Sequence, residues 1–187
     1  TSRRLHSVKE NGKMINCLDN AILTRKEHRM NQYEHALAVM KELFAKDVQF
    51  ALATSAENIP SLRFVDTYFD GAAFYVVTYA TSQKVQEIKT NPNVALCGRK
   101  MHNFQGKAYL IGHPLLPENR AIREKLIQVF QPWYFKHNRE EDEAMCFLRI
   151  EPSAGFFHQD GTGYRIDFIH REAMEFSFTF DTVIMED

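Results

Sequence analysis

The stretch Thr78-Tyr-Ala-Thr-Ser82-Gln-Lys84 is where the residue types of this chain first point to chemistry. It ends an apolar run, turns, and opens a helical pattern. Such a junction aims unpaired backbone N–H groups and the positive end of a helix at one place. Thr78 and Ser82 add hydroxyl donors, and Lys84 adds a charge in the first turn. A lysine there opposes the helix dipole. With Ser82 as N-cap the N3 residue is Val85, so no capping-box carboxylate fills the spot. A bound anion offsets both costs. Arg63, between Leu62 and Phe64 in an alternating stretch, needs a partner if its strand is buried, and a phosphate is a good bidentate one. The plainer reading is that Ser82 only caps, Lys84 is solvated, and Arg63 lies on a wet face.

Other chemistries find less support. Gly161-Thr-Gly163 has no third glycine at the required offset and precedes a strand pattern, so it reads as a hairpin turn and not a dinucleotide fingerprint. Neither a G-x-x-x-x-G-K-[ST] nor a G-x-S-x-G occurs, which argues against a P-loop NTPase and an α/β-hydrolase. The eight histidines are scattered, with no H-x-x-x-H, so no metal is expected. Glu140-Glu-Asp-Glu143 reads as a solvated acidic patch. Cys17, Cys97 and Cys146 are odd in number and widely spaced, as free thiols would be in a reducing compartment.

The elements that must position these residues are short. Asn31 is a plausible helix cap, with Ala36, Leu37, Val39, Met40, Leu43 and Phe44 at helical spacing after it. Val48–Thr54 and Ser61–Tyr68 read as strands around the turn at Glu57–Pro60, and Asp70-Gly71 leads by a hairpin into Ala73–Thr78. Ser82–Thr90 is a helix closed by Asn91-Pro92, followed by strands at Val94–Gly98 and Lys107–His113. A longer helix is expected over Pro117–Gln131. Strands are expected at Met145–Ile150, Ala154–His158 and Tyr164–Phe168, and an edge strand or arm over Glu175–Phe180. Many short strands with tight turns and few helices predict a mainly β, antiparallel barrel with flanking helices.

The 187 residues suit one domain with an arm. Residues 1–29, polar and weakly periodic, are read as an N-terminal extension or the remnant of a fused tag, and 30–187 as the folded domain. The chain starts at Thr1, and both Met14 and Met30 are candidate native starts; about the first dozen residues are set aside as tag or linker. Hydrophobic residues make up 44% and charged ones 25%, a globular composition. A net charge of −1 disfavours nucleic-acid binding by bulk charge. No apolar run is long enough to span a bilayer, and no secretory h-region stands out, so a cytoplasmic protein without a membrane partner is expected.

Leu62-Arg-Phe-Val65, Phe74-Tyr-Val-Val-Thr78, Ser82-Gln-Lys84 and Asn91-Pro-Asn-Val-Ala-Leu96, in that order, resemble the pyridoxamine 5'-phosphate oxidase-like family, nearest its general stress protein 26-like branch. The resemblance runs from about Met30 to Phe168. It implies the FMN-binding split β-barrel and a homodimer with FMN between subunits. It further implies that Arg63, Ser82 and Lys84 hold the FMN phosphate. The backbone of Phe64 and Val65 would flank the ring, and Val77 and Thr78 would line the ribityl side. A flavin-contacting Gln of the oxidases falls near Lys107. Gln83 stands where the oxidases carry a basic residue, and their C-terminal substrate signature is replaced by Gly155–Asp160 and Tyr164–Asp167, departures that argue against pyridoxamine phosphate as substrate.

An FMN-dependent oxidoreductase using a donor such as NAD(P)H is the expectation, with the flavin doing the redox chemistry. The alternative is a non-catalytic protein that binds or senses flavin, haem or the deazaflavin F420. Haem would draw on His102 or His158 as axial ligand. An empty dimeric scaffold is the third reading. His158 and Tyr164 are candidates for the substrate rim, the plainer reading being hairpin surface, and Phe156, Phe157 and Trp133 for the wall of a pocket for a planar ligand, the plainer reading being core packing. Fifteen phenylalanines leave apolar surface for a two-fold partner, with Phe176, Phe178 and Phe180 as a candidate arm across it.

Overall fold

The computed structural model describes residues 8–10, 13–15, 17–131 and 133–179. A short hairpin, β1 (Val8–Glu10) and β2 (Lys13–Ile15), precedes helix α1 (Cys17–Phe44). The main sheet follows: β3 (Val48–Ala56), β4 (Ile59–Phe69), β5 (Phe74–Tyr79), β6 (Asn93–Cys97), β7 (Asn103–Leu110), β8 (Met145–Gln159), β9 (Thr162–Asp167) and β10 (Glu172–Ser177). Helix α2 (Gln83–Thr90) joins β5 to β6, and α3 (Arg120–Val129) and α4 (Tyr134–His137) lie between β7 and β8. The order β8-β5-β4-β3-β6-β7 closes by a β7–β8 pairing into a six-stranded antiparallel barrel, the mainly β architecture expected. Strands β9 and β10 extend it beyond β8.

The core follows from strand alternation and one helix stripe. Tyr33, Ala36, Met40 and Phe44 are the buried positions among the described side chains of α1 and pack into the barrel core. Phe44 meets the rings of Phe50, Phe74, Phe104 and Phe157 at centroid distances of 5.5, 6.1, 5.5 and 6.2 Å. The contacts with Phe104 and Phe157 are edge-on and those with Phe50 and Phe74 tilted, and such aromatic pairs add to what area burial alone supplies. A second apolar cluster joins Leu126, Phe130 and Tyr134 to Tyr68, Tyr75 and Phe147 on the outside of the barrel.

Several expectations are corrected. Asn31 caps nothing, because α1 begins at Cys17 and runs through it. The expected strands at Met145–Ile150 and Ala154–His158 are one 15-residue strand, β8. Pro152 is tolerated within it because β7 shifts register opposite, between Gln105 and Gly106. The helix expected over Pro117–Gln131 opens with a 3-10 turn at Pro117–Asn119 and ends at Val129. Within the chain, β10 pairs with β9, and Phe176 and Phe178 lie 6.2 and 5.1 Å from Phe156. Phe180 lies outside the described residues. Cys97 and Cys146 are free thiols.

Gly106 is required by close approach. A Cβ there would stand 2.2 Å from the Glu151 carbonyl oxygen and 2.9 Å from the Pro152 Cα, both backbone atoms. We expect Gly106→Ala to destabilise the protein by about 2–3 kcal/mol, at the upper end of overpacking costs. Urea unfolding measures this; an unchanged midpoint would contradict the β7–β8 closure.

Candidate functional site at the split between two strands

β4 pairs with β3 along Ile59–Thr67, but with β5 only at Tyr68 and Phe69. One backbone edge of residues 59–67 therefore faces no strand, although β4 and β5 are sheet neighbours. Exposed N–H and C=O groups of this kind need partners from solvent or a ligand. β5 leads from the other side of this split into the N-terminus of α2. The structure thus gathers Arg63, Phe64 and Val65 on one bank and Val77, Thr78, Ser82 and Lys84 on the other.

Each side chain has a definite place. Val65 is buried in the core, whereas Phe64 is 62% exposed on the opposite face of β4. Val77 packs against the second apolar cluster. Thr78 is buried, with its hydroxyl 3.4 Å from that of Ser82. Ser82 occupies the N-cap position, but its side chain makes no capping hydrogen bond. Its hydroxyl is therefore not consumed by the helix end. Lys84 is half-buried and has no ion pair among the described residues. Burial lowers its pKa, and the neighbouring Arg63 lowers it further, so the two cations share one locality. Lys107 is not brought there. It lies three strands from β4 in the sheet order, opposite Asn93 and Glu151. Its neighbour two residues earlier, Gln105, lines two outer clefts of about 410 and 440 Å³.

Arg63 has a partner the sequence did not reveal. Its Nη2 donates to Glu87 Oε2 at 3.0 Å, and its Nη1 donates to Thr54 Oγ1 and, at 3.4 Å, to the Leu52 carbonyl. Glu87 comes from the middle of α2 and also accepts from the hydroxyl of Thr54. Its other oxygen takes Ser61 Oγ at 2.7 Å and Gln83 Nε2 at 2.8 Å. Hydrogen bonds from Thr54 first, then Ser61, with Gln83 and Arg63 behind them, lower the Glu87 pKa to about 2. A guanidinium offers five N–H donors, so the three contacts of Arg63 leave donors for a further acceptor. Spacing alone conceals Glu87, because its partners come from β3 and β4, far from it in the chain.

The other end of the barrel holds the remaining named candidates. His102 and His158 pack against each other at 4.9 Å between ring centroids, their planes tilted by 32°. Burial, with His158 and Lys100 nearby, depresses the His102 pKa to about 4. The imidazole nitrogen Nε2 of His158 lies 2.8 Å from the Lys100 carbonyl, an acceptor, so that nitrogen carries the proton. Tyr164 is not at a rim: it is buried and stacks on the core Phe157 at 5.0 Å. Trp133 stacks on Phe130 at 4.7 Å and donates to Asp47 at 2.7 Å, so it walls no cleft at the split. Phe156 lines the 440 Å³ outer cleft with Arg165 and Met174.

These ionisations set two acid windows. His102 takes up a proton more readily when unfolded, so stability falls as pH drops from 6.5 toward about 4. Glu87 is held as carboxylate in the fold, so its contribution is present above 4.5 and lost as pH falls toward about 2. Glu140, bonded to Arg123, and Asp167, bonded to His170, are also held below the ordinary carboxylate range, so we expect Glu87→Gln to shrink the lower window and leave the upper one, read from denaturation midpoints between neutral and strongly acid pH. A lower window unchanged by the substitution would show that Glu87 does not titrate as described.

A family model described as pyridoxamine 5'-phosphate oxidase matches residues 37–159, more than half of the chain. General stress protein 26 of Bacillus subtilis (strain 168) is 28% identical over 106 residues, which cover 54% of this chain and 73% of that protein. Among solved structures, general stress protein 26 from Bacillus anthracis str. Sterne gives a TM-score of 0.50 at 21% identity, covering 65% of this chain and 92% of that one. A nimc/nima family protein from Clostridium acetobutylicum gives 0.50 at 18% identity, covering 81% and 98%. HutZ, a haem storage protein from Vibrio cholerae, gives 0.50 at 12% identity, covering 66% and 90%. The structural likenesses agree with the closed barrel and its flanking helices. Through the family match over residues 37–159, the chain belongs to the pyridoxamine 5'-phosphate oxidase family, with its split-barrel fold.

Proposed function

We propose that the chain binds FMN in the split between β4 and β5, at the interface of a homodimer, and works as an FMN-dependent oxidoreductase. One observation carries this reading. The unpaired edge of β4 lies beside a cationic cluster whose donors are not all used, Arg63, Ser82 and Lys84. With Glu87 counted, the cluster keeps a formal charge of +1, which suits a phosphate. The backbone of Phe64 and Val65 suits the edge of a planar ring, and Val77 and Thr78 its tail. The flavin, when bound, supplies two-electron chemistry with a donor such as NAD(P)H. The residues of the chain bind, orient and shield it; none at the split is a ready general acid or base.

The partner in this reading is a second copy. Leu62 and Phe64 are 69% and 62% exposed, and both stand on the outer face of β4. Ala51 and Ala53 lie opposite them on β3, with Ala95 and Cys97 beyond on β6. An apolar ridge beside a floor of small residues is self-complementary under a two-fold axis.

Two outcomes test the reading. Arg63→Ala with Lys84→Ala should weaken FMN by about 100-fold, roughly 2.7 kcal/mol. Affinity for riboflavin, which lacks the phosphate, should be almost unchanged. Equal losses for both flavins, or none, would remove the phosphate assignment. Leu62→Glu with Phe64→Glu should convert a dimer to a monomer in sedimentation at micromolar concentration and release FMN with it. A parent protein that sediments as a monomer would sink the interface.

A further inference from the structure

The barrel end remote from the split carries a cleft of about 750 Å³ whose lining includes Phe44, Phe50, His102 and His158. Arg99, Lys100 and Lys46 also border it, against Asp47 and Asp160. None of the three cations has an ion pair among the described residues. With both imidazoles neutral the border has a formal excess of one positive charge. His102 is 7% exposed, and its Nδ1 is the one buried side-chain polar atom that finds no hydrogen-bond partner among the described residues. Buried polar atoms are nearly always paired, so an orphan beside a cleft marks a place where a ligand atom fits. The approach is also shaped: Met101, next to His102, has φ 61°, in the left-handed region that non-glycine residues avoid unless the surroundings impose it.

We propose that this cleft is a second ligand site, distinct from the flavin split, for a small aromatic monocarboxylate. The carboxylate meets Lys46, Arg99 and Lys100 and accepts from His102, and the ring lies against the apolar lining at Leu43, Phe44 and Phe50. A single negative charge matches the excess of one. A phosphate dianion would leave one negative charge unmatched, and a monocation would raise the positive excess to two. Rings already pack here, since Phe44 stands edge-on to His102 at 5.2 Å. The inference does not depend on flavin binding, because the His102 cleft and the split share no residue.

Benzoate is the probe, followed through the histidine side-chain NMR signals of the full chain. The expected result is a saturable shift of the His102 and His158 signals with Kd near or below about 1 mM. Arg99→Ser with Lys100→Ser, both on the exposed loop, should weaken it tenfold or more. Arg63→Ala with Lys84→Ala should leave it unchanged. Benzamidine, of the same shape and opposite charge, should give no saturable shift. Absence of saturation with benzoate, an equal response to benzamidine, or indifference to the Arg99/Lys100 change would overturn the proposal. Loss of the response in the Arg63/Lys84 variant would assign it to the split instead.

Discussion

The carboxylate of Glu87 holds the candidate site together. Four side chains donate to it, from β3, from β4 and from α2 itself, so the helix cannot move relative to the two strands without breaking several bonds at once. Ser82 and Lys84 ride on the first turn of that helix or just before it. Their distance from Arg63 is therefore set by a buried ionic contact rather than by the loop that precedes them. A buried ion pair of this kind adds little net stability compared with an apolar pair of the same size, whereas losing one partner is costly. Its value here is geometric. It holds the guanidinium in one orientation and cancels one of the two positive charges.

The aromatic core does the corresponding work for the barrel. Phe44 closes one end from α1, and its contacts with Phe50, Phe74 and Phe104 tie the helix to three strands. With that end sealed and the β7–β8 pairing closing the sheet, the gap between β4 and β5 is a discontinuity in an otherwise continuous ladder.

Much of this was legible in the residues. Alternation gave β3, β4 and β5 nearly to their ends, and Asn91-Pro92 marked the close of α2. The junction at Ser82 and Lys84 could be read because its signal is local. Glu87 could not, since a glutamate in a short helix looks solvated until β3 and β4 fold against it. Pro152 split β8 in two for the same reason: its compensation lies on another strand, at Gly106. Tyr164 reads from the sequence as a rim or hairpin-surface residue, and the stack on Phe157, a contact distant from its local pattern, buries it. Lys107 came from aligning a strand end that β7 does not share, since β7 starts at Asn103 and stops at Leu110.

The long β8 strand also has a consequence for how the chain is made. It pairs with β5, β7 and β9, and every route that closes the barrel passes through it. As synthesis proceeds from the N-terminus, β3 to β7 emerge with two open edges, and the helical segment before Met145 must follow before β8 can close them. Pairings between segments so distant in sequence form slowly. Until then the nascent sheet exposes strand edges and the apolar inner face of β5 to other chains. The same strand that makes the finished barrel rigid leaves the newborn one dependent on its last third, which makes the interval before residue 150 the period of greatest risk of aggregation.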